Sequence, residues 1–227
     1  MILRILILCF PLFCFSQNIT DQNQKKQGEW IQKHPNGKIR YVGSFIDDLP
    51  TGIFNHYTND GVLKANLEYF NDGKSSSARL YHTNGELAAT GVYVGKLKNQ
   101  LWKYFNDKGI LIKEENYNNG ELDGLVTTYY TSGEILQKIN YVKGLKDGNS
   151  QEFYISGISK FITNYKNGLL EGSFVLNYSD GVKEYEGNYF KDKKHGVWKY
   201  YKEDGSFDYE IEYMNGIQLT IFDEEER

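Results

Sequence analysis

One interval governs this chain. Glycines stand at Gly37, Gly61, Gly85, Gly109, Gly133, Gly157, Gly181 and Gly205, one every 24 residues. A fixed period of that length marks a repeat architecture, in which each unit is one supersecondary element stacked on its neighbours. Two further columns keep the same period. An aromatic closes each unit, at Phe45, Tyr69, Tyr93, Tyr117, Tyr141, Tyr165, Tyr189 and Tyr213. A glycine opens it, at Gly28, Gly52, Gly124, Gly148, Gly172 and Gly196, with Ser76 and Gln100 in the two remaining places. The turn and opening columns together take 14 of the 23 glycines of the chain.

Each unit reads as a β-hairpin. In the last one, Trp198-Lys199-Tyr200-Tyr201 leads into Asp204-Gly205, and the return strand alternates Phe207, Tyr209, Ile211 and Tyr213 with Asp208, Glu210 and Glu212. That alternation belongs to a sheet with one covered and one wet face. Asn36-Gly37, Asp60-Gly61, Asn84-Gly85, Asp180-Gly181 and Asp204-Gly205 predict tight turns with positive φ, and the opening glycine is expected to turn the chain into the next hairpin. Two residues after it comes an apolar column of Trp30, Phe54, Trp102, Val126, Phe174 and Trp198, where Ala78 and Ser150 make units three and six the weakest. The fold class is therefore all-β: an elongated, twisted antiparallel sheet of about eight tandem 24-residue hairpins, spanning ~75 Å at ~4.8 Å per strand. Its aromatic load, 19 Tyr and 13 Phe, suits a half-buried sheet, and the sheet is expected to curl over its aromatic face.

The ends differ from the array. Arg4 precedes an apolar run from Ile5 to Phe15, and Cys14-Phe15-Ser16 ends it as a cleavage site before Gln17 does in a secretory signal peptide. Residues 1–16 are expected to direct export to the periplasm, cell surface or medium. Their removal takes Arg4 and both cysteines and leaves a net charge of -5, one below the -4 of the full chain. Residues 17–27 read as a polar, solvated lead-in and residues 28–222 as the repeats. Thr220-Ile221-Phe222 falls where a ninth unit would start, so it is expected to close the last edge as a half-hairpin, with residues 223–227 an acidic tail.

The search for chemistry turns up little. His34, His56, His82 and His195 are spread too far along the repeats to share a tetrahedral metal, and no nucleophile, phosphate-loop or zinc motif is present. No enzyme activity, cofactor or metal is expected. A mild acidic balance with interspersed lysines argues against nucleic acid. Two constellations are candidates for a binding face. Glu184, Glu186, Asp208, Glu210 and Glu212 form an acidic strip on the wet face of the last two units, read either as a patch for a basic partner or Ca²⁺, or as carboxylates paired with Lys183, Lys199 and Lys202. Trp30, Trp102 and Trp198 share one column and read either as platforms for sugar rings or as packing.

The unit G-x-W-x-x-Y/F-x-x-D/N-G-x-L, followed by a closing Tyr and a Gly-x-x-Asp-Gly linker, resembles the variant MORN (membrane occupation and recognition nexus) repeat. The resemblance runs from Gly28 to about Thr220 and is clearest at Leu101 to Gly148 and Gly196 to Gly216. It implies a β-hairpin array that scaffolds proteins or lipids, with no catalytic residues to carry over. Bacterial proteins of this type are often labelled antitoxin components. The expected function is thus a non-catalytic exported scaffold with a protein partner. The alternatives are a binder of cell-envelope glycan or membrane surface, or an antitoxin-like partner of a toxin. Oligomeric state has no signature in the residues.

Overall fold

The computed structural model describes residues 18–223. Every regular element among them is a strand: β1 (Ile19–Thr20), β2 (Lys26–Lys33), β3 (Ile39–Ile46), β4 (Leu49–Tyr57), β5 (Leu63–Phe70), β6 (Ser75–Tyr81), β7 (Leu87–Val94), β8 (Leu97–Phe105) and β9 (Leu111–Asn118). Then come β10 (Glu121–Leu122), β11 (Gly124–Tyr129), β12 (Ile135–Val142), β13 (Leu145–Phe153), β14 (Ser159–Lys166), β15 (Leu169–Asn177), β16 (Lys183–Phe190), β17 (Lys193–Tyr201), β18 (Phe207–Met214) and β19 (Ile217–Asp223). Each pairs antiparallel with the strands before and after it in sequence, except that the two-residue β10 pairs only with β9, which goes on to pair with β11. The result is one open meander. Contacts of any substance join only neighbouring strands, so the sheet stays a single layer and does not fold over its aromatic face. The expected hairpin array is present.

The turns differ in kind from the expectation. Within a hairpin, Gly37 carries positive φ but Asn36 does not, and the same holds for Asp60, Asn84, Asp180 and Asp204. At Asn36, Asn84, Asp180 and Asp204 the side chain instead accepts the backbone N–H two residues on, as Asn84 does from Glu86 at 3.0 Å and Asp204 from Ser206 at 2.9 Å, whereas in the Asp60 turn the Val62 N–H donates to the Thr58 hydroxyl. The tighter turns lie between repeats. Asp47-Asp48, Asn119-Gly120, Asn167-Gly168 and Asn215-Gly216 have positive φ at both positions and join strands through two residues, the geometry that matches strand twist.

The opening glycine consequently does not turn the chain. Gly52 lies inside β4 at φ 62°, where the register with β3 skips between Val42 and Ser44. It supplies a β-bulge, and Gly148, Gly172 and Gly196 do likewise against their preceding strands. Gln100 adopts the same left-handed conformation at φ 59° without being glycine. Ser76 does not: β5 and β6 pair without a skip, and the spare residues move into a four-residue connection, 71–74.

Both edges are stapled across repeats. Along one, the N–H of Gly95, Gly120, Gly144, Gly168 and Gly216 donates to the carbonyls of Lys74, Lys98, Leu122, Lys146 and Lys194. Along the other, the Tyr130, Tyr154 and Tyr178 hydroxyls donate to the carbonyls of Phe153, Asn177 and Tyr201, each 23 residues on, at 2.8–3.1 Å. The lead-in is polar but ordered from residue 18. β1 pairs with β2, and Asn18 both donates to and accepts from the backbone of Ile31. At the far end β19 covers β18 as the expected half-hairpin, but its register is one residue off. Glu210 faces Phe222, whereas the equivalent Glu186 faces Lys199, which corresponds to Asp223. Thr220 stands where the other units use a positive-φ residue, so the skip moves. Residues 1–17 and 224–227, and with them the expected leader and all but the first residue of the acidic tail, lie outside the described residues.

Candidate functional site

The ring face is built on a size exchange between neighbouring repeats. Phe54, Trp102 and Trp198 lie flat against Gly43, Gly91 and Gly187 of the preceding strand, where an added Cβ would fall 2.2–2.3 Å from a ring atom. Where that partner is large, the column residue shrinks: Ala78 faces Leu67, and Ser150 faces Ile139. Phe174 against Thr163 breaks the rule, and there the Thr163 hydroxyl is buried without a hydrogen-bond partner. Trp102 and Trp198 are 0% exposed. Their Nε1–H groups donate to the Val92 and Asn188 carbonyls at 3.1 Å, and Tyr93 and Tyr189 meet them edge-on at 4.8 and 5.0 Å. These two indoles offer no face to a sugar; they pack. Trp30, in the first unit, is half-buried and donates to the Ile19 and Gln27 carbonyls of the lead-in.

A lysine column completes this face. Lys98 holds its ammonium 4.9 Å from the rings of Trp102, Tyr104 and Tyr117, and Lys194 sits 4.2 Å from Trp198 and 5.1 Å from Tyr213. Desolvation draws the Lys98 pKa down. Beside it Glu115 occupies a position held elsewhere by Gly, Leu, Ile or Thr. It is 7% exposed, ion-paired with Lys113 at 2.6 Å, and accepts the Tyr117 hydroxyl at 2.6 Å. Burial pushes its pKa up, but the Lys113, Tyr117 and Tyr104 hydrogen bonds outweigh that and leave it low. Desolvation and the Tyr117 and Glu115 bonds push the Tyr104 phenol well up, so it stays a proton donor at neutral pH. The cluster locks a charged group into the face and presents no activated nucleophile.

The acidic strip lies on the opposite face. Glu186 pairs with Lys183 at 2.8 Å and accepts the Tyr201 hydroxyl at 2.8 Å, and these bonds hold its carboxyl below the usual range. Lys199 stands in register between Glu186 and Glu210, and Lys202 approaches Asp208 at 3.9 Å. Glu184 is half-buried and Glu212 exposed. Lys183, Lys199 and Lys202 are thus interleaved with Glu186, Asp208 and Glu210, beside a shallow notch of about 260 Å³ lined by Ser173, Val175, Glu186, Asn188, Val197 and Lys199. No cluster of three or more His, Cys, Asp or Glu able to hold a metal occurs among the described residues.

Two histidines have hydrogen-bond partners, whereas the buried Nε2 of His56 has none among the described residues. His34 and His82 share the column of Tyr130, Tyr154 and Tyr178, and their Nε2 atoms lie 3.1 and 2.9 Å from the carbonyls of Tyr57 and Phe105. A carbonyl only accepts, so Nε2 carries the proton. His56 is half-buried between Tyr41 and Phe54, and desolvation followed by the charges of Lys64 and Arg40 lowers its pKa. Three features escaped the sequence: the glycine seats, the lysine caps and Glu115. Gly43, Gly91 and Gly187 were the visible signal, since each precedes a ring in the next unit by 11 residues.

Comparison with known proteins agrees with this geometry. The family model described as MORN repeat variant matches residues 26–47 and 122–143. A comparison with curated proteins finds no significant match. Among solved structures, a GtfA/B complex bound to UDP and GlcNAc is 20% identical over 50% of this chain, with a TM-score of 0.22. A Photorhabdus luminescens Tc holotoxin pore is 10% identical over 89%, with a TM-score of 0.24. The chain spans 22% and 14% of those two chains. The matched family segments begin 96 residues apart, four periods of the repeat, and each holds one hairpin of the array; two hits of this model in one periodic array are consistent with a MORN repeat variant protein.

Proposed function

We propose that this protein is an exported, non-catalytic scaffold that engages a protein partner along the polar face of its sheet, with the acidic strip of the last two repeats meeting basic side chains. The observation that carries the reading is how the two faces are used. Trp102 and Trp198 are wholly buried by packing between repeats, whereas Glu184, Asp208, Glu210 and Glu212 lie on the face opposite those rings, half-buried or exposed. MORN repeats suggest an interaction scaffold, and a solenoid of this kind offers an extended surface rather than a cleft. Export is supported by the apolar run and small residues ahead of Gln17.

The test compares residues 17–227 with a Glu184→Lys, Asp208→Lys variant in affinity capture from detergent-solubilised envelope. A stoichiometric partner lost on charge reversal and on raising salt supports the reading. Equal capture by both proteins removes the acidic strip as the interface. N-terminal sequencing of the protein from its host tests export: a mature end at Gln17 is expected, and an intact Met1 in the cytoplasm would refute it.

A further inference from the structure

We propose that a cavity at the turn edge of repeats one to three binds an alkylguanidinium or alkylammonium group. The residue after each inter-repeat turn is large in seven units, as Leu49, Leu97, Glu121, Leu145, Leu169, Lys193 and Ile217, but is Gly73 here. The bulge missing from β6 puts the extra residues into the 71–74 connection, with Phe70 paired to Ser75. Gly73 then packs so closely on Pro50 that an added Cβ would fall 2.7 Å from its ring. Between this connection and the preceding inter-repeat turn lies a cavity of about 330 Å³, lined chiefly by Leu49, Pro50, Tyr69, Phe70, Asp47 and Asp72.

Its lining selects a cation with an apolar stem. Ile46, Leu49 and Phe70 are 59%, 47% and 49% exposed, an apolar wall and one ring face. The Asp72 carboxylate has no hydrogen-bond or ion-pair partner among the described residues, and Asp47 takes one hydrogen bond from the Gln27 amide at 2.7 Å. Of the lining side chains, only Thr51 and Asn71, besides the Tyr69 phenol, offer donors. A sugar needs donors and acceptors in balance; two carboxylates beside an aromatic ring suit an ammonium or guanidinium head, with its alkyl chain on Leu49 and Pro50. The group can arrive as a small free cation or as the side chain of an arginine or lysine. The cavity lies in repeats one to three and is independent of the acidic strip in the last two.

The experiment titrates the ¹⁵N-labelled protein with n-butylguanidinium, n-butylamine, n-butanol, a methyl glycoside and an uncharged-ended Gly-Arg-Gly peptide, reading backbone amide shifts at residues 46–51 and 69–73. Saturable shifts with the cations, at least about tenfold weaker with butanol and the glycoside, are expected. Saturation by the peptide as tight as by butylguanidinium assigns a protein side chain as the source, and saturation by the small cations alone assigns a free ligand. The Asp47→Asn, Asp72→Asn pair keeps residues that tolerate left-handed backbone and lowers cation affinity about tenfold, while Asp107→Asn, at an exposed turn outside both sites, leaves it unchanged. Butanol or glycoside binding as tightly as the cations overturns the proposal, as does the absence of any saturable shift, or full affinity in the Asn pair with its other amide shifts intact.

Discussion

Gly187→Ala separates packing from backbone freedom. Gly187 sits in β16 without positive φ, so backbone entropy alone makes alanine stabilising by about 0.4–1 kcal/mol. The structure reverses the sign. The new Cβ would stand 2.3 Å from Trp198 Cδ2 and 2.6 Å from Cγ. The indole is 0% exposed and tied by Nε1–H to the Asn188 carbonyl, so it must shift as a unit. Overpacking costs about 1–3 kcal/mol and the strained or lost hydrogen bond about 1 more, for a net destabilisation of about 2–3 kcal/mol after the entropic gain. The neighbouring Gly196→Ala has open space at its Cβ but φ +72°, and costs only about 1 kcal/mol of left-handed strain.

Urea denaturation of 5-fluorotryptophan-labelled protein reads both quantities. The ¹⁹F signal of Trp198 should move in Gly187→Ala and stay in place in Gly196→Ala. Combining Gly187→Ala with Trp198→Val should give a coupling of about 1–3 kcal/mol, because the chain itself pairs large with small at Leu67 and Ala78. A Gly187→Ala protein at least as stable as the parent, with Trp198 undisturbed, would refute the seat argument, as would strict additivity in the double variant.

Other expectations follow from single contacts. Gln100→Gly should raise stability by about 0.5–1 kcal/mol, measured as a higher urea midpoint, because Gln100 holds φ 59° where six other units use glycine. Tyr178→Phe should cost about 0.5–1.5 kcal/mol and speed amide exchange in the last hairpin by removing the 3.1 Å bond to Tyr201, whereas His82→Tyr should be tolerated because tyrosine already makes that staple in three other repeats. Glu115 has a folded pKa below its usual 4.5. Its stabilisation is therefore complete above that value and is lost as pH falls through the folded value. Glu115→Gln should cost about 1.5–3 kcal/mol at pH 7 and flatten the acid limb of the stability curve; an unchanged limb would show that Glu115 does not set it.

The hairpin period was legible because turn glycines and strand parity are local signals. The closing aromatics and the last edge strand β19 follow from the same local reading, although Thr220 shifted its register. The place where one repeat turns into the next was not legible. Asp47-Asp48 and Lys191-Asp192 turn without glycine, while Gly52 and Gly196 sit inside strands, so the conspicuous residue marks a bulge rather than a turn. In the acidic strip, the contacts of Glu186 with Lys183 and of Asp208 with Lys202 involve lysines that the sequence reading offered as its partners. The staple made by His34 and His82 was hidden because histidine and tyrosine look unrelated until both are seen reaching a carbonyl 23 residues on.

A single-layer sheet has no second layer against which to bury rings, so it must bury them within itself. Bulges at Gly52 and Gly196 bring Phe54 and Trp198 back over the glycines of the preceding strand, which converts a side-by-side pairing into local stacking. Lysines lie over the rings, and the two rows of inter-repeat hydrogen bonds restrain the sheet margins. Each device joins one repeat only to the next, so stability grows as a sum of neighbour terms and a defect stays local. Repeat three illustrates this. It lacks the opening glycine and its bulge, yet β6 still pairs fully with β5 and β7, and the displaced residues form the cavity floor at Gly73. In such an array a site can be made by altering one unit without unfolding its neighbours.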